Sequence, residues 1–195
     1  MGRTAEISRK TKETDIYVKL DLDGTGKYEI DTGVGFFNHM LAGFARHGLF
    51  DLTVKVKGDL EVDDHHTIED TGIVIGSAIR QAVGDKAGIT RYGSSILPMD
   101  ETLVMTAVDL CGRPYFVFKG DFTGPSMGDM NTQMVREFFY AISYAAEMNL
   151  HLNILYGEND HHKAEALFKS FAKSLRMAVS HDDRIQGILT TKGSL

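Results

Sequence analysis

Two stretches of the chain carry the same side chains at the same spacing, and this repetition narrows the folds open to it. Asp64-His65-His66-Thr67-Ile68-Glu69 is answered by Asp160-His161-His162-Lys163-Ala164-Glu165, an offset of 96 residues from His65 to His161. Repeats of this length are the first thing to seek in a sequence, and more of them appear around the pair. Glu13-Thr14 and Asp21-Leu22 return as Glu101-Thr102 and Asp109-Leu110 at an offset of 88. The apolar stripe Phe36, Phe37, Met40, Leu41, Phe44 returns as Met134, Val135, Phe138, Phe139, Ile142 at 98. Arg80-Gln81-Ala82-Val83 answers Arg176-Met177-Ala178-Val179 at 96. Correspondences in one order over the whole chain indicate an internal duplication.

The local patterns give each copy its elements. Alternating apolar and polar residues predict strands at 15–22 and 103–110, with Gly24 and Gly112 in the turns that follow. Shorter strands follow near Lys27–Ile30 and Tyr115–Lys119, and others lie at Leu52–Lys57 and Leu150–Tyr156. The i, i+3, i+4 stripes predict helices, and the His-His phrases open the last helix of each half, with Asp64 and Asp160 as its N-caps. Each half reads β-β-α-β-α, with repeats at approximately 13–84 and 101–180. The stretch 84–100 reads as a connector, Gly120–Asn131 as a loop, and 185–195 as a tail that orders only on contact. The expected fold is α+β: two small sheets with helices packed between them around one core, the whole of 1–195 forming a single domain.

Composition excludes several function classes. One cysteine, Cys111, leaves neither a disulfide framework nor a thiolate metal site. A net charge of −6 argues against a general nucleic-acid binder, and no apolar run approaches a membrane span. The reading is a reduced, soluble, cytoplasmic protein.

The repeated phrase points to metal. On a helix turning about 100° per residue, the first His and the Glu at i+4 share a face while the second His points away, so one motif can serve two ions. His39 and Glu137 occupy matching positions at the 98-residue offset, and both are ligand types set among apolar residues. Eight candidates result: His39, His65, His66, Glu69, Glu137, His161, His162 and Glu165. Pseudo-twofold symmetry divides them into His65, Glu69, Glu137 and His162, and His161, Glu165, His39 and His66. Four N and O ligands without thiolate suit Mn, Fe, Co or Zn and leave positions open for substrate. His47, His151 and His181 have ordinary helix-end, strand-face and tail readings. A structural metal protein or a metal-dependent hydrolase would also use such ligands.

Phe37-Asn38-His39-Met40-Leu41, His47-Gly48-Leu49-Phe50-Asp51, Asp63-Asp64-His65-His66-Thr67-Ile68-Glu69-Asp70, Asp109-Leu110-Cys111-Gly112-Arg113-Pro114-Tyr115 and Asp160-His161-His162-Lys163-Ala164-Glu165 together resemble the imidazoleglycerol-phosphate dehydratase family. Arg9-Lys10-Thr11-Lys12-Glu13-Thr14 and Thr191-Lys192-Gly193 extend the resemblance over nearly the whole chain. It implies a ribosomal protein S5 domain 2-like fold and a hydro-lyase of histidine biosynthesis. Such an enzyme dehydrates imidazole glycerol phosphate to imidazole acetol phosphate through a metal-bound imidazolate and a diazafulvene intermediate. It further implies two manganese ions per site and a homo-oligomer of twenty-four subunits with metal sites at the interfaces. By resemblance, Glu13 transfers the C2 proton, with its repeat partner Glu101 as rival. Arg91, Arg113, Lys169, Thr191 and Lys192 bind the substrate's phosphate. Glu137 stands where many members carry His, and Thr190-Thr191 where the family has Ser-Ser.

Overall fold

The computed structural model describes residues 2–193; the end of the expected tail, Ser194 and Leu195, lies outside the described residues. In the first half, strands β1 (Thr4–Lys10), β2 (Thr14–Asp21) and β3 (Tyr28–Asp31) precede helix α1 (Gly35–Gly48), strand β4 (Asp51–Gly58) and helix α2 (His65–Val83). The second half repeats this as β5 (Tyr92–Met99), β6 (Thr102–Asp109), β7 (Tyr115–Lys119), α3 (Gln133–Ala145), β10 (Asn149–Tyr156) and α4 (Asp160–Val179). Between β7 and α3, a small hairpin of β8 (Ser126–Met127) and β9 (Met130–Asn131) occupies the loop that the first half lacks.

Each half builds one four-stranded sheet, in the orders β1-β2-β4-β3 and β5-β6-β10-β7. In each sheet two neighbouring pairs run antiparallel and one, β3 on β4 or β7 on β10, runs parallel because α1 or α3 stands between the two strands as a crossover. The duplicated β-β-α-β-α unit is present as expected, and each copy gains one edge strand. Tyr92–Met99, expected as part of the connector, is β5: Gly93 faces inward and Ile96 outward, and Pro98 is tolerated because the strand is an edge.

The sheets bury one face each. In β2, Ile16, Val18 and Leu20 point inward while Asp15 and Lys19 point to solvent. Helices α1 and α2 and helices α3 and α4 fill the space between the sheets, α2 packing on α3 and α1 on α4. Gly72 and Gly76 make the first contact close: a Cβ at either would lie 2.8 Å from a carbonyl oxygen of α3. Phenylalanine rings join the halves, with Phe37 edge-on to Phe138 at 5.1 Å and Phe44 stacked on Phe171 at 5.5 Å. The two stripes of the duplication thus bury each other in one core, as hydrophobic faces of this size must.

Loops lock the halves together. Asp129, in the β8–β9 turn, accepts the N–H groups of Gly35 and Phe36 at 2.6 and 2.9 Å and so caps α1 from the other half. The reverse contact runs from Asn131 N–H to Asp64 at 2.7 Å. Asp64 holds the N-cap position of α2 as expected, though its side chain makes no capping bond there, while Asp160 is the first residue of α4 and Asn159 its cap. Asp63 accepts from His65 N–H and Asn159 from His161 N–H, one residue earlier than expected. Asp160 instead accepts from Thr123 and Gly124 and pairs with Lys163. The C-terminal segment is placed by backbone bonds: Gly88 N–H donates to Gly187 at 2.8 Å, and Ile188 bridges Ala87.

Candidate metal centre

The i, i+4 geometry of the paired motifs is realised in both helices. At the start of α4, His161 Nε2 lies 3.1 Å from Glu165 Oε2; at the start of α2, His65 Nε2 lies 3.5 Å from Glu69 Oε2. His39 on α1 reaches the same Glu165 oxygen at 3.3 Å, because α1 packs along α4. His39, His161 and Glu165 consequently offer ligand atoms within 4.8 Å of one another. Phe36 stands edge-on to the His161 ring at 5.0 Å and limits how that imidazole can turn. Lys169 holds the other carboxylate oxygen of Glu165 at 2.6 Å. Burial works to raise the Glu165 carboxyl, but Lys169 and His161 outweigh it and hold the group below its ordinary range. Two imidazoles and an ionised carboxylate, with no thiolate, fit a divalent cation of the kind expected.

Glu137 occupies on α3 the place of His39 on α1. It is paired with Arg136 at 3.5 Å, and it and Glu69 both lie close enough to Tyr140 to help Tyr144 raise that phenol. Glu137 and Glu69 thus flank the same part of the α2–α3 pair.

The second imidazoles go elsewhere, as the helical turn requires. The ring planes within each His-His pair lie 75° and 79° apart. His66 Nδ1 lies 3.0 Å from Asp59, and His162 Nδ1 lies 2.7 Å from Glu101. Each neighbouring carboxylate raises its imidazole's pKa. Glu101 also accepts from the N–H of Asn159 at 2.8 Å and of Glu158 at 3.1 Å, and from the Thr102 hydroxyl. The Asn159 N–H first, then His162, hold its carboxyl far below the ordinary range. Glu13 is more than half exposed at the side chain and comes within 3.9 Å of His66 Nε2. Within one chain, neither His66 nor His162 joins the His39–His161–Glu165 cluster.

The expected phosphate ligands separate in the same way. Arg91, Arg113, Thr190, Thr191 and Lys192 line one open cleft of about 410 Å³. Asp109 grips Arg91 through two bonds of 2.7 and 3.1 Å, and Arg91 Nη1 donates to Leu189 at 2.8 Å, so the guanidinium fixes both strand and tail. Lys169 is not in this lining; it stands at the metal cluster. The sequence pattern missed Asp59, the partner of His66, because the matching position at the 98-residue offset is Gly157 and the repeat offers no signal there.

The chain is similar to proteins of one family. The family model described as imidazoleglycerol-phosphate dehydratase matches residues 32–175. The imidazoleglycerol-phosphate dehydratase of Lachnoclostridium phytofermentans is 62% identical over 195 residues, all of both chains. That of Clostridium kluyveri is 56% identical over 193 residues, 99% of this chain and 100% of its own. Among solved structures, the Staphylococcus aureus imidazoleglycerol-phosphate dehydratase superposes with a TM-score of 0.84 at 36% identity, covering 92% of this chain and 99% of that one. A Pyrococcus furiosus relative gives 0.83 at 33%, covering 97% and 100%.

Proposed function

The chain belongs to the imidazoleglycerol-phosphate dehydratase family, and from that premise we propose how its residues divide the work. The enzyme is a hydro-lyase of histidine biosynthesis that dehydrates imidazoleglycerol phosphate with metal assistance. The observation that carries the residue-level reading is the convergence of His39, His161 and Glu165 from two helices on one point.

In this reading the ion is manganese, two per site, held by His65, Glu69, Glu137 and His162 and by His161, Glu165, His39 and His66. When bound, such ions supply a Lewis acid and a template for the imidazole ring and the leaving hydroxyl. Lys169 takes one oxygen of Glu165, which keeps the other turned toward His39 and His161. Arg91, Arg113, Lys192 and the Thr191 hydroxyl grip the phosphate, and Lys169 adds a further positive charge. Water leaves as the C3 hydroxyl and the C2 proton, and the enol that remains tautomerises to the ketone. Glu13 takes the C2 proton. Glu101, its partner in the repeat, is the poorer base because four donors already stabilise its charged form.

The reading includes assembly. His66 is bonded to Asp59 rather than to the cluster of its own chain, and Glu13 and the phosphate cleft belong to different halves. A homo-oligomer, in our reading of twenty-four subunits, supplies the missing ligands across its interfaces. Removing metal with a chelator should abolish formation of imidazole acetol phosphate, and added manganese should restore it. Full activity in rigorously metal-free protein would overturn the reading.

A further inference from the structure

The two His-His motifs are matched, but the carboxylates behind them are not. His162 is backed by Glu101 just before β6, whose repeat partner is Glu13 just before β2. By symmetry Glu13 should meet His66 at Nδ1, and instead it lies 3.9 Å from Nε2. Asp59, just past the end of β4, fills that place at 3.0 Å from Nδ1, and the second half has Gly157 where Asp59 stands.

A carboxylate can only accept, so the ring nitrogen facing it must carry the hydrogen. Asp59 therefore fixes His66, and Glu101 fixes His162, with N–H at Nδ1. The Nε2 of each ring then presents a lone pair, or exchanges its proton for a metal. Both carboxylates are themselves placed: Glu101 by two backbone N–H groups and Thr102, and Asp59 by burial that leaves its side chain 18% exposed. Metal-bound histidines elsewhere rely on such a carboxylate to set ring orientation and basicity.

We infer that Asp59 and Glu101 are positioning residues with one task, holding His66 and His162 by Nδ1 so that Nε2, which faces Glu13 at 3.9 Å in one ring and Asp100 at 3.7 Å in the other, is the metal-binding atom. We further infer that Asp59, by taking this task in the first half, leaves the Glu13 carboxylate without a hydrogen bond and available for proton transfer, 3.9 Å from His66 Nε2. The inference rests on the metal-assisted reading above. It also explains why two carboxylates at one repeat position differ: Glu101 accepts from Asn159, Glu158, Thr102 and His162, while the Glu13 carboxylate has no hydrogen bond among the described residues.

The test is manganese affinity of the full-length protein, measured by competition with a chelator, with circular dichroism to confirm folding. Asp59→Asn should weaken binding about 10- to 100-fold, and Asp59→Glu should recover most of it. Glu101→Gln should weaken binding to a similar extent and carries the same test if Asp59→Asn fails to fold. Glu13→Gln should leave the affinity within about twofold, as expected of a group that backs no ligand. Unchanged affinity in Asp59→Asn and Glu101→Gln, while His66→Ala lowers it, would overturn the positioning role alone. An equal loss in Glu13→Gln and Asp59→Asn would overturn the freeing of Glu13. If His66→Ala itself leaves metal binding intact, the ligand assignment fails and this inference falls with it.

Discussion

The two sheets have one strand order and opposite outer faces. Outward from the first point Glu6, Ser8, Tyr17, Lys19, Thr53, Lys55 and Glu29, with Lys55 and Glu29 paired at 2.9 Å. Outward from the second point Ile96, Pro98, Leu103, Met105, Ala107, Val117 and Leu155, interleaved with Ser94, Lys119, His151 and Asn153, with Ile96 65% exposed. Tyr17 and Met105 are the same position of the repeat. The inward faces stayed apolar in both copies because they share one core. The outward faces diverged: the first is mostly charged and polar, and the second sets apolar side chains among polar ones. The same divergence runs through the site, where Glu13 stays exposed and Glu101 is tied down.

The largest expected effect breaks or sharpens that last contrast. Glu13→Gln should slow turnover about 100- to 10,000-fold, the range for loss of a general base, with metal binding retained. Glu101→Gln should lose activity chiefly through metal affinity and regain much of it at saturating manganese. Steady-state rates over a manganese titration distinguish the two, and equal, manganese-independent losses would erase the contrast. Next in size is assembly. Met105→Lys should weaken subunit association roughly tenfold or more, since an unpaired charge would be buried, whereas Tyr17→Lys should leave it unchanged. Light scattering after size-exclusion chromatography reads both, and dispersal by Tyr17→Lys would assign the interface to the wrong sheet.

A smaller effect concerns how tightly each half packs its last helix. Gly93 on β5 corresponds to Ala5 on β1. A Cβ at Gly93 would lie 1.9 Å from the Ser174 carbonyl of α4, while Ala5 carries its Cβ in the core at 3% exposure. Helix α4 thus lies closer to its sheet than α2 does. Gly93→Ala should cost about 2–3 kcal/mol of stability by overpacking, and Ala5→Gly about 1 kcal/mol or less. Urea unfolding measures both, and a negligible cost at Gly93 would show that α4 can shift without penalty.

Much of this was legible in the residues. Periodicity gave the central strands and all four helices, because Ile16, Val18, Leu20 and the phenylalanine stripes repeat at the period of the element that buries them. The i, i+4 faces of His65–Glu69 and His161–Glu165 follow from helix geometry alone. Two edge strands, β1 and β5, were hidden, and for β5 the reason is physical: Gly93 and Pro98 are residues of turns and connectors. The cap of α4 was misplaced by one residue, and the side chain that bonds the first turn of α2 is Asp63 rather than the cap residue Asp64, because opposing loops claim the Asp64 and Asp160 carboxylates. Asp59 was invisible because its role is set by where β4 ends in space, which no repeat encodes.

The smallest prediction tests the loop that joins the halves. Asp129 caps α1 from the second half, while Asp64 returns one bond from the first. Burial works to raise the Asp129 carboxyl, but the N–H groups of Phe36 and Gly35 prevail and lower it. A carboxyl lowered in the folded state adds stability that is full above its unfolded pKa of about 3.9 and is lost as pH falls through the folded value. Asp129→Asn should therefore cost about 1 kcal/mol at neutral pH, the scale of a lost helix cap, with the exposed side chain keeping the figure small. The difference from the unmodified protein should shrink as pH falls below about 4, as the native carboxyl is protonated in turn. Asp64→Asn, with one donor at stake, should cost less. Urea unfolding of the metal-free protein between neutral and acid pH would show this, and a pH-independent difference would mean that shape rather than charge holds the cap.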